Sequence, residues 1–153
     1  MKHSKKYVLV DGYNIIHSWG YLSEGLSLEE SRDRLISVLQ NYRGFSKSEV
    51  IVVFDAHLVK GGCGGVCEMG NIKVVYTKET ETADHYIERA SRTMAKEYTV
   101  TVATSDNLEQ LIILGSGAIR ISAEDFLKEV NSTEKKIKKK IEENRPVKNN
   151  QLL

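Results

Sequence analysis

A chain of 153 residues with 41% hydrophobic and 28% charged side chains has the make-up of one soluble globular domain, which excludes wholesale disorder. One proline and eleven glycines exclude a linker-rich or collagen-like chain. Lys and Arg number 22 against 21 Asp and Glu, a formal charge of +1, so the overall balance selects no class of partner.

Taken in chain order, short β-rich runs alternate with helical patterns. Tyr7-Val8-Leu9-Val10 is a first apolar run, closed by Asp11-Gly12. Leu28, Leu35, Leu39 and Tyr42 then share one helical face. Val50-Ile51-Val52-Val53-Phe54 is a second strand, ended by Asp55, and a glycine-rich loop runs from Lys60 to Cys67. Ile72-Lys73-Val74-Val75-Tyr76 is a third strand. Ala83, Ile87, Ala90 and Met94 mark the next helix. Val100-Thr101-Val102-Ala103 is a fourth strand, ending at Thr104-Ser105-Asp106. Leu108, Leu111 and Ile112 open a helix that Gly115 stops, and Ala118–Ile121 is a short fifth strand. Ser122 and Asp125 form a capping pattern at the start of a last helix through Phe126, Val130, Ile137 and Ile141. Continuous apolar strands indicate burial on both faces, so the expected fold is α/β: a doubly wound, three-layer sandwich around a mainly parallel sheet of about five strands. The expected boundaries are a domain over 1–144 and a flexible tail over 145–153.

No apolar run reaches the roughly 18–20 residues of a membrane helix, and the apolar stretch behind Met1–Lys6 ends too early, at Asp11, for a signal peptide. Cys63 and Cys67 are too few for a secreted disulfide framework, so a cytosolic protein with a reduced cysteine pair is expected. Zinc held by that pair and His57 would lack a convincing fourth ligand.

Open parallel sheets build their sites at the carboxyl ends of strands, near the switch in strand order. Asp11, Asp55 and Asp106 each follow a strand, and Asp84 falls in the first turn of a helix starting on the same edge. Any one of them alone is readily a cap, as Asp106 with Glu109 would be. Four together are costly: two unit charges about 4 Å apart interact by roughly 4 kcal/mol at an effective dielectric near 20. Either some are protonated or a cation sits among them, and all-oxygen ligation points to Mg²⁺ or Mn²⁺ rather than zinc. Such a site suits phosphate esters. Asn14 could orient water or phosphate, or simply make an Asx turn after Gly12. Thr104 and Ser105 could hydrogen-bond a carboxylate or cap the following helix.

Beyond this edge, Trp19 is a candidate for stacking on bases, whereas Tyr13 is expected to anchor its loop and His17 to face solvent. The loop carrying His57 and Lys60 could close over RNA. From Glu134 to Lys148 the chain has seven basic and three acidic residues, a net +4 that leaves −3 for the rest. Lys135, Lys136 and Lys139 in this run are either a solvated helix face or contacts for RNA phosphates.

Val10-Asp11-Gly12-Tyr13-Asn14-Ile15-Ile16 is similar to the opening motif of NYN domains, relatives of the PIN nucleases. Val52–His57, Thr77–Asp84 and Ala103–Asp106 continue the likeness in order, and the whole resembles the YacP-like NYN group over roughly Tyr7 to Glu143. That group includes a ribosome-associated endoribonuclease of mRNA decay. The resemblance implies a PIN-like fold, Mg²⁺ or Mn²⁺ dependence, and cleavage of single-stranded RNA by metal-activated water to leave a 5′-phosphate and a 3′-hydroxyl. It implies metal-binding roles for Asp11, Asp84 and Asp106, catalytic support from Asn14 and Asp55, and a supporting place for Glu81. His85 departs from the pattern, since the group often carries an acid directly after the aspartate of this motif; the departure bears on a second metal. Two other readings stand beside the nuclease: a non-catalytic RNA- or ribosome-binding PIN-like module, and a phosphoacceptor receiver with Asp55 as acceptor. The receiver lacks the adjacent acidic pair it needs, because Gly12 follows Asp11.

Overall fold

The computed structural model describes residues 5–56, 65–107, 113 and 115–146. His57, Lys60, Cys63, the helix expected to open at Leu108 and the end of the tail lie outside them. Among the described residues six strands are present: β1 Lys6–Asp11, β2 Ser48–Phe54, β3 Gly65–Met69, β4 Ile72–Tyr76, β5 Thr99–Ala103 and β6 Ile119–Ile121. The helices are α1 Gly12–Trp19, α2 Leu28–Phe45, α3 Ala83–Met94 and α4 Ala123–Asn144. The sheet order is β3-β4-β2-β1-β5-β6, with every pairing parallel except the β3–β4 hairpin.

Alternation along the strands divides the core in two. Val8, Val10, Val50, Val52, Phe54 and Val74 meet α1, α2 and α4 through Ile15, Trp19, Leu35, Leu39, Tyr42 and Phe126. Leu9, Val53, Val75, Val100 and Val102 point the other way, onto Ala83 and Ile87 of α3 and onto Ile113. Both faces are covered, as near-continuous apolar strands require.

Two elements differ from the expectation. The segment after Asp11 is a helix from its first residue, so Asn14 sits in α1 rather than in an Asx turn. Gly12 permits this immediate turn-in: a Cβ there would lie 2.3 Å from Cε1 of Phe54. The second difference is β3, which was concealed inside the glycine-rich stretch. Its hairpin turns on Gly70-Asn71, with Gly70 at φ 60° as a two-residue turn of the primed type demands. Gln40 of α2 ties the turn down: its side-chain Nε2 donates to the Met69 carbonyl, and its backbone carbonyl accepts from Nδ2 of Asn71. Cys67 in β3 is disulfide-bonded, which corrects the expected reduced thiol and removes a thiolate from any zinc set.

Tyr42 is buried and donates from its hydroxyl to Glu129 at 2.6 Å. Burial, and then that hydrogen bond, push its phenol up to about 12 from 10.0. The folded state therefore favours the neutral phenol: this stabilisation is intact below pH 10 and is lost as pH rises toward 12. Tyr42→Phe should fall less steeply in stability than the parent over that range, as followed by urea denaturation. Gly12→Ala should lose about 1–3 kcal/mol by overpacking against Phe54 in the same assay.

Candidate active site

The topological switch lies at β1, whose neighbours are β2 on one side and β5 on the other. The carboxyl ends of β1 and β5 accordingly open a crevice, and a cavity of about 430 Å³ occupies it. Asp11, Tyr13, Asn14, His17, Asp55, Thr82, Ala83, Asp84 and Asp106 line this cavity. Five residues expected at the site, Asp11, Asn14, Asp55, Asp84 and Asp106, are thus brought together from four separate stretches of chain.

Each is placed by local structure. Asp11 ends β1 at only 6% exposure. It holds the N-cap position of α1, yet its side chain makes no capping bond. Thr104, fully buried after β5, donates its hydroxyl to Oδ2 of Asp11 at 3.3 Å, and Thr104 Oγ1 also accepts the Asp106 backbone amide at 3.1 Å. Strand β6 fixes Thr104 further, because Ile121 accepts the Thr104 amide and Arg120 Nε donates to the Thr104 carbonyl. Asn14 accepts the Ser105 amide through Oδ1 at 2.8 Å. The Ser105 hydroxyl accepts the amide of Ala123, the first residue of α4, so it caps a helix and does not reach a carboxylate. Asp84 stands in the first turn of α3, where Thr82 caps the helix by accepting the His85 amide. A negative charge at that position is favoured by the helix dipole. Thr77 accepts the Ala56 amide beside Asp55, bracing the end of β2 against β4.

Other expected residues fall elsewhere. Trp19 is buried at 5% exposure, its indole N–H donates to the Ala123 carbonyl at 2.8 Å, and its ring packs near Phe126. It anchors α1 to α4 and cannot stack on a base. Glu81 is outside the cavity, with its carboxylate paired to Arg89. Lys135, Lys136 and Lys139 are exposed on α4, about 18 Å or more along the helix from Ala123 at 1.5 Å per residue.

Tyr13 does anchor, through its ring against Phe54 and its hydroxyl accepting from buried Arg32, but it also lines the cavity. Burial raises its phenol above the ordinary range, with the Arg32 guanidinium opposing. His17, expected in a solvent-facing loop, is an exposed residue of α1 on the cavity wall. The i, i+3 spacing of Asn14 and His17 would have put both on one face had α1 been recognised.

Four carboxylates and an amide make a hard, all-oxygen donor set, which suits Mg²⁺ or Mn²⁺. Among the described residues, no group of three or more His, Cys, Asp or Glu side chains is close enough together to hold a metal ion by itself. A ring of donors around a cavity suits an ion that takes one or two carboxylates directly and keeps its waters.

Together, fold and cavity define a mainly parallel α/β protein with an acidic site at its switch point. The chain matches the model of the YacP-like NYN domain over residues 8–153 and belongs to that family, one of PIN-like nucleases. It is 43% identical to the Bacillus subtilis protein named "Uncharacterized protein YacP" over 137 residues, 88% of this chain and 80% of that one. Crystal structures of Rae1 (YacP) from Bacillus subtilis are similar. The W164L mutant has a TM-score of 0.78 at 37% identity, over 91% of this chain and 82% of that one. The second structure has a TM-score of 0.77 at 39% identity, over 90% and 80%.

Thr104→Val keeps the side-chain shape and removes the hydroxyl that joins Asp11 to the Asp106 amide. Loss of these two hydrogen bonds should cost about 1–3 kcal/mol, measurable by chemical denaturation.

Proposed function

We propose that this protein is a divalent-cation-dependent endoribonuclease that hydrolyses single-stranded RNA, mRNA included, to leave 5′-phosphate and 3′-hydroxyl ends. The observation that carries this reading is the convergence of Asp11, Asp55, Asp84, Asp106 and Asn14 on one cavity, with the buried Asp11 carboxylate not spent on capping its helix. Membership of a family of PIN-like nucleases and the likeness to Rae1 support it.

Asp11, Asp84 and Asp106 would hold Mg²⁺ or Mn²⁺, one or two of them directly and the rest through its waters. When bound, such a cation supplies charge neutralisation at a phosphate and Lewis-acid activation of water. Asn14 is held by the Ser105 amide through Oδ1, which leaves its side-chain N–H groups to orient a phosphate oxygen or a water. Asp55, which lines the same cavity, can accept a hydrogen bond from the attacking water. Thr104 acts through Asp11 and Asp106 as a positioning residue. Lys135, Lys136 and Lys139 would meet the phosphates of the strand away from the cut and offset its repulsion by the acidic rim. The family resemblance supports the ribosome as a partner, and the cytoplasm is the compartment that the sequence pattern favours. Among the described residues no helix is long and apolar enough to cross a membrane.

The test is incubation of end-labelled single-stranded RNA, free and ribosome-bound, with the protein and Mg²⁺ or Mn²⁺, followed by end-group analysis. Asp11→Asn and Asp106→Asn should each lower cleavage by about three orders of magnitude, equivalent to several kcal/mol, with the far-UV circular dichroism unchanged. Retained cleavage in both variants would overturn the assignment. RNA binding by the parent with no cleavage under any of these conditions would favour a non-catalytic module.

A further inference from the structure

The sheet face that is apolar under α1, α2 and α4 changes character at its amino end, away from the acidic rim. Ser48, Lys6 and Thr99 form one row across β2, β1 and β5, followed by Thr101 and Ile119 across β5 and β6. A groove of about 440 Å³ lies over these rows, within the roughly 300–1,000 Å³ of small-ligand sites. Tyr42 and Phe45 of α2, Glu129, Thr133 and Lys136 of α4, and Lys47 from the α2–β2 connection form its walls.

Three properties specify a ligand. Lys6, Lys47 and Lys136 give the groove a cationic rim, and none of them is in an ion pair among the described residues. The one acid, Glu129, is engaged by the Tyr42 hydroxyl. Ser48, Thr99 and Thr101 present hydroxyls with no side-chain hydrogen bond among the described residues, whereas Thr133 and Ser46 already have partners. The third property is apolar: Phe45 is 50% exposed and Ile119 57% exposed, both large side chains left open on the groove's margins. Threonines in strands are ordinary on propensity alone, but a lysine and unpaired hydroxyls in rows that continue a buried apolar face call for a polar occupant.

We propose that this groove binds a nucleoside phosphate, with the phosphate at Lys6, Lys47 and Lys136, the ribose on the strand hydroxyls and the base against Phe45. The site is distinct from the acidic cavity: it uses the opposite end of the same strands and requires no divalent cation. Its occupant is either a free nucleotide or one unit of an RNA chain, which share the chemistry recognised here.

The test is isothermal titration of the full chain, without divalent cation, by adenosine 5′-monophosphate, adenosine, inorganic phosphate and a 5′-phosphorylated hexa-adenylate. Adenosine 5′-monophosphate should bind saturably and more tightly than adenosine or phosphate alone. Lys47→Glu and Phe45→Ala, both at exposed positions, should each weaken it by about tenfold or more, while Asp106→Asn should leave it unchanged. Tighter binding of the hexanucleotide, with the same sensitivity to Lys47→Glu, identifies an RNA unit, and tighter binding of the mononucleotide identifies a free nucleotide. Absence of saturable binding by both would overturn the proposal, as would binding indifferent to Lys47→Glu and Phe45→Ala. These measurements involve no cleavage, so their failure is separable from failure of the nuclease assignment.

Discussion

One hydroxyl group organises the acidic rim. Thr104 donates to a carboxylate that closes β1 and accepts an amide that precedes another carboxylate beyond β5, so a single buried oxygen sets two acids from distant parts of the chain in register. Like charges sharing one cavity repel, and their proximity is helped where neighbouring dipoles and backbone geometry hold them. Thr104 is itself held by β6 through both its amide and its carbonyl. The shortest strand of the sheet therefore serves the site more than it serves the core.

The remaining walls follow the same logic of borrowed support. Asn14 is fixed by the backbone of Ser105, and Ser105 in turn caps α4. Trp19 ties the end of α1 to that same first residue of α4 through the Ala123 carbonyl. Two helices and the β5–β6 region thus share one junction beside the acids. The side chains around it, Phe126 and Ile15 among them, belong to the larger of the two cores.

Much of this could be read from residue order, because parallel strands announce themselves by unbroken apolar runs and their carboxyl ends collect function. Asp11, Asp55 and Asp106 were identifiable as strand-terminal acids, and Asp84 as a helix-opening one. Less visible were features in which a local signal was overridden by context. α1 lacks a spacer after β1 and has no capping side chain, so its start rests on the fit of Gly12 against Phe54, a contact between segments about forty residues apart. β3 was hidden because glycine density reads as loop, although Gly70-Asn71 marks a hairpin in its own right. Trp19 misled for a different reason: an indole near a site has the composition of a base-stacking residue, and only its hydrogen bond to Ala123 reveals it as a fastener. Glu81 lies three residues before Asp84 in the same motif but precedes the helix, where Arg89 pairs with it.

The last helix has an uneven footing. Its buried residues, Ala123, Phe126, Val130 and Thr133, all lie in the first half of its 22 residues. From Glu134 onward the helix stands on little but its own backbone hydrogen bonds and a half-open apolar strip formed by Ile137, Ile141 and Phe45. Helical segments without packed side chains open at low free-energy cost. Opening of the distal turns would therefore leave the Ala123 junction, and the aspartates beside it, in place.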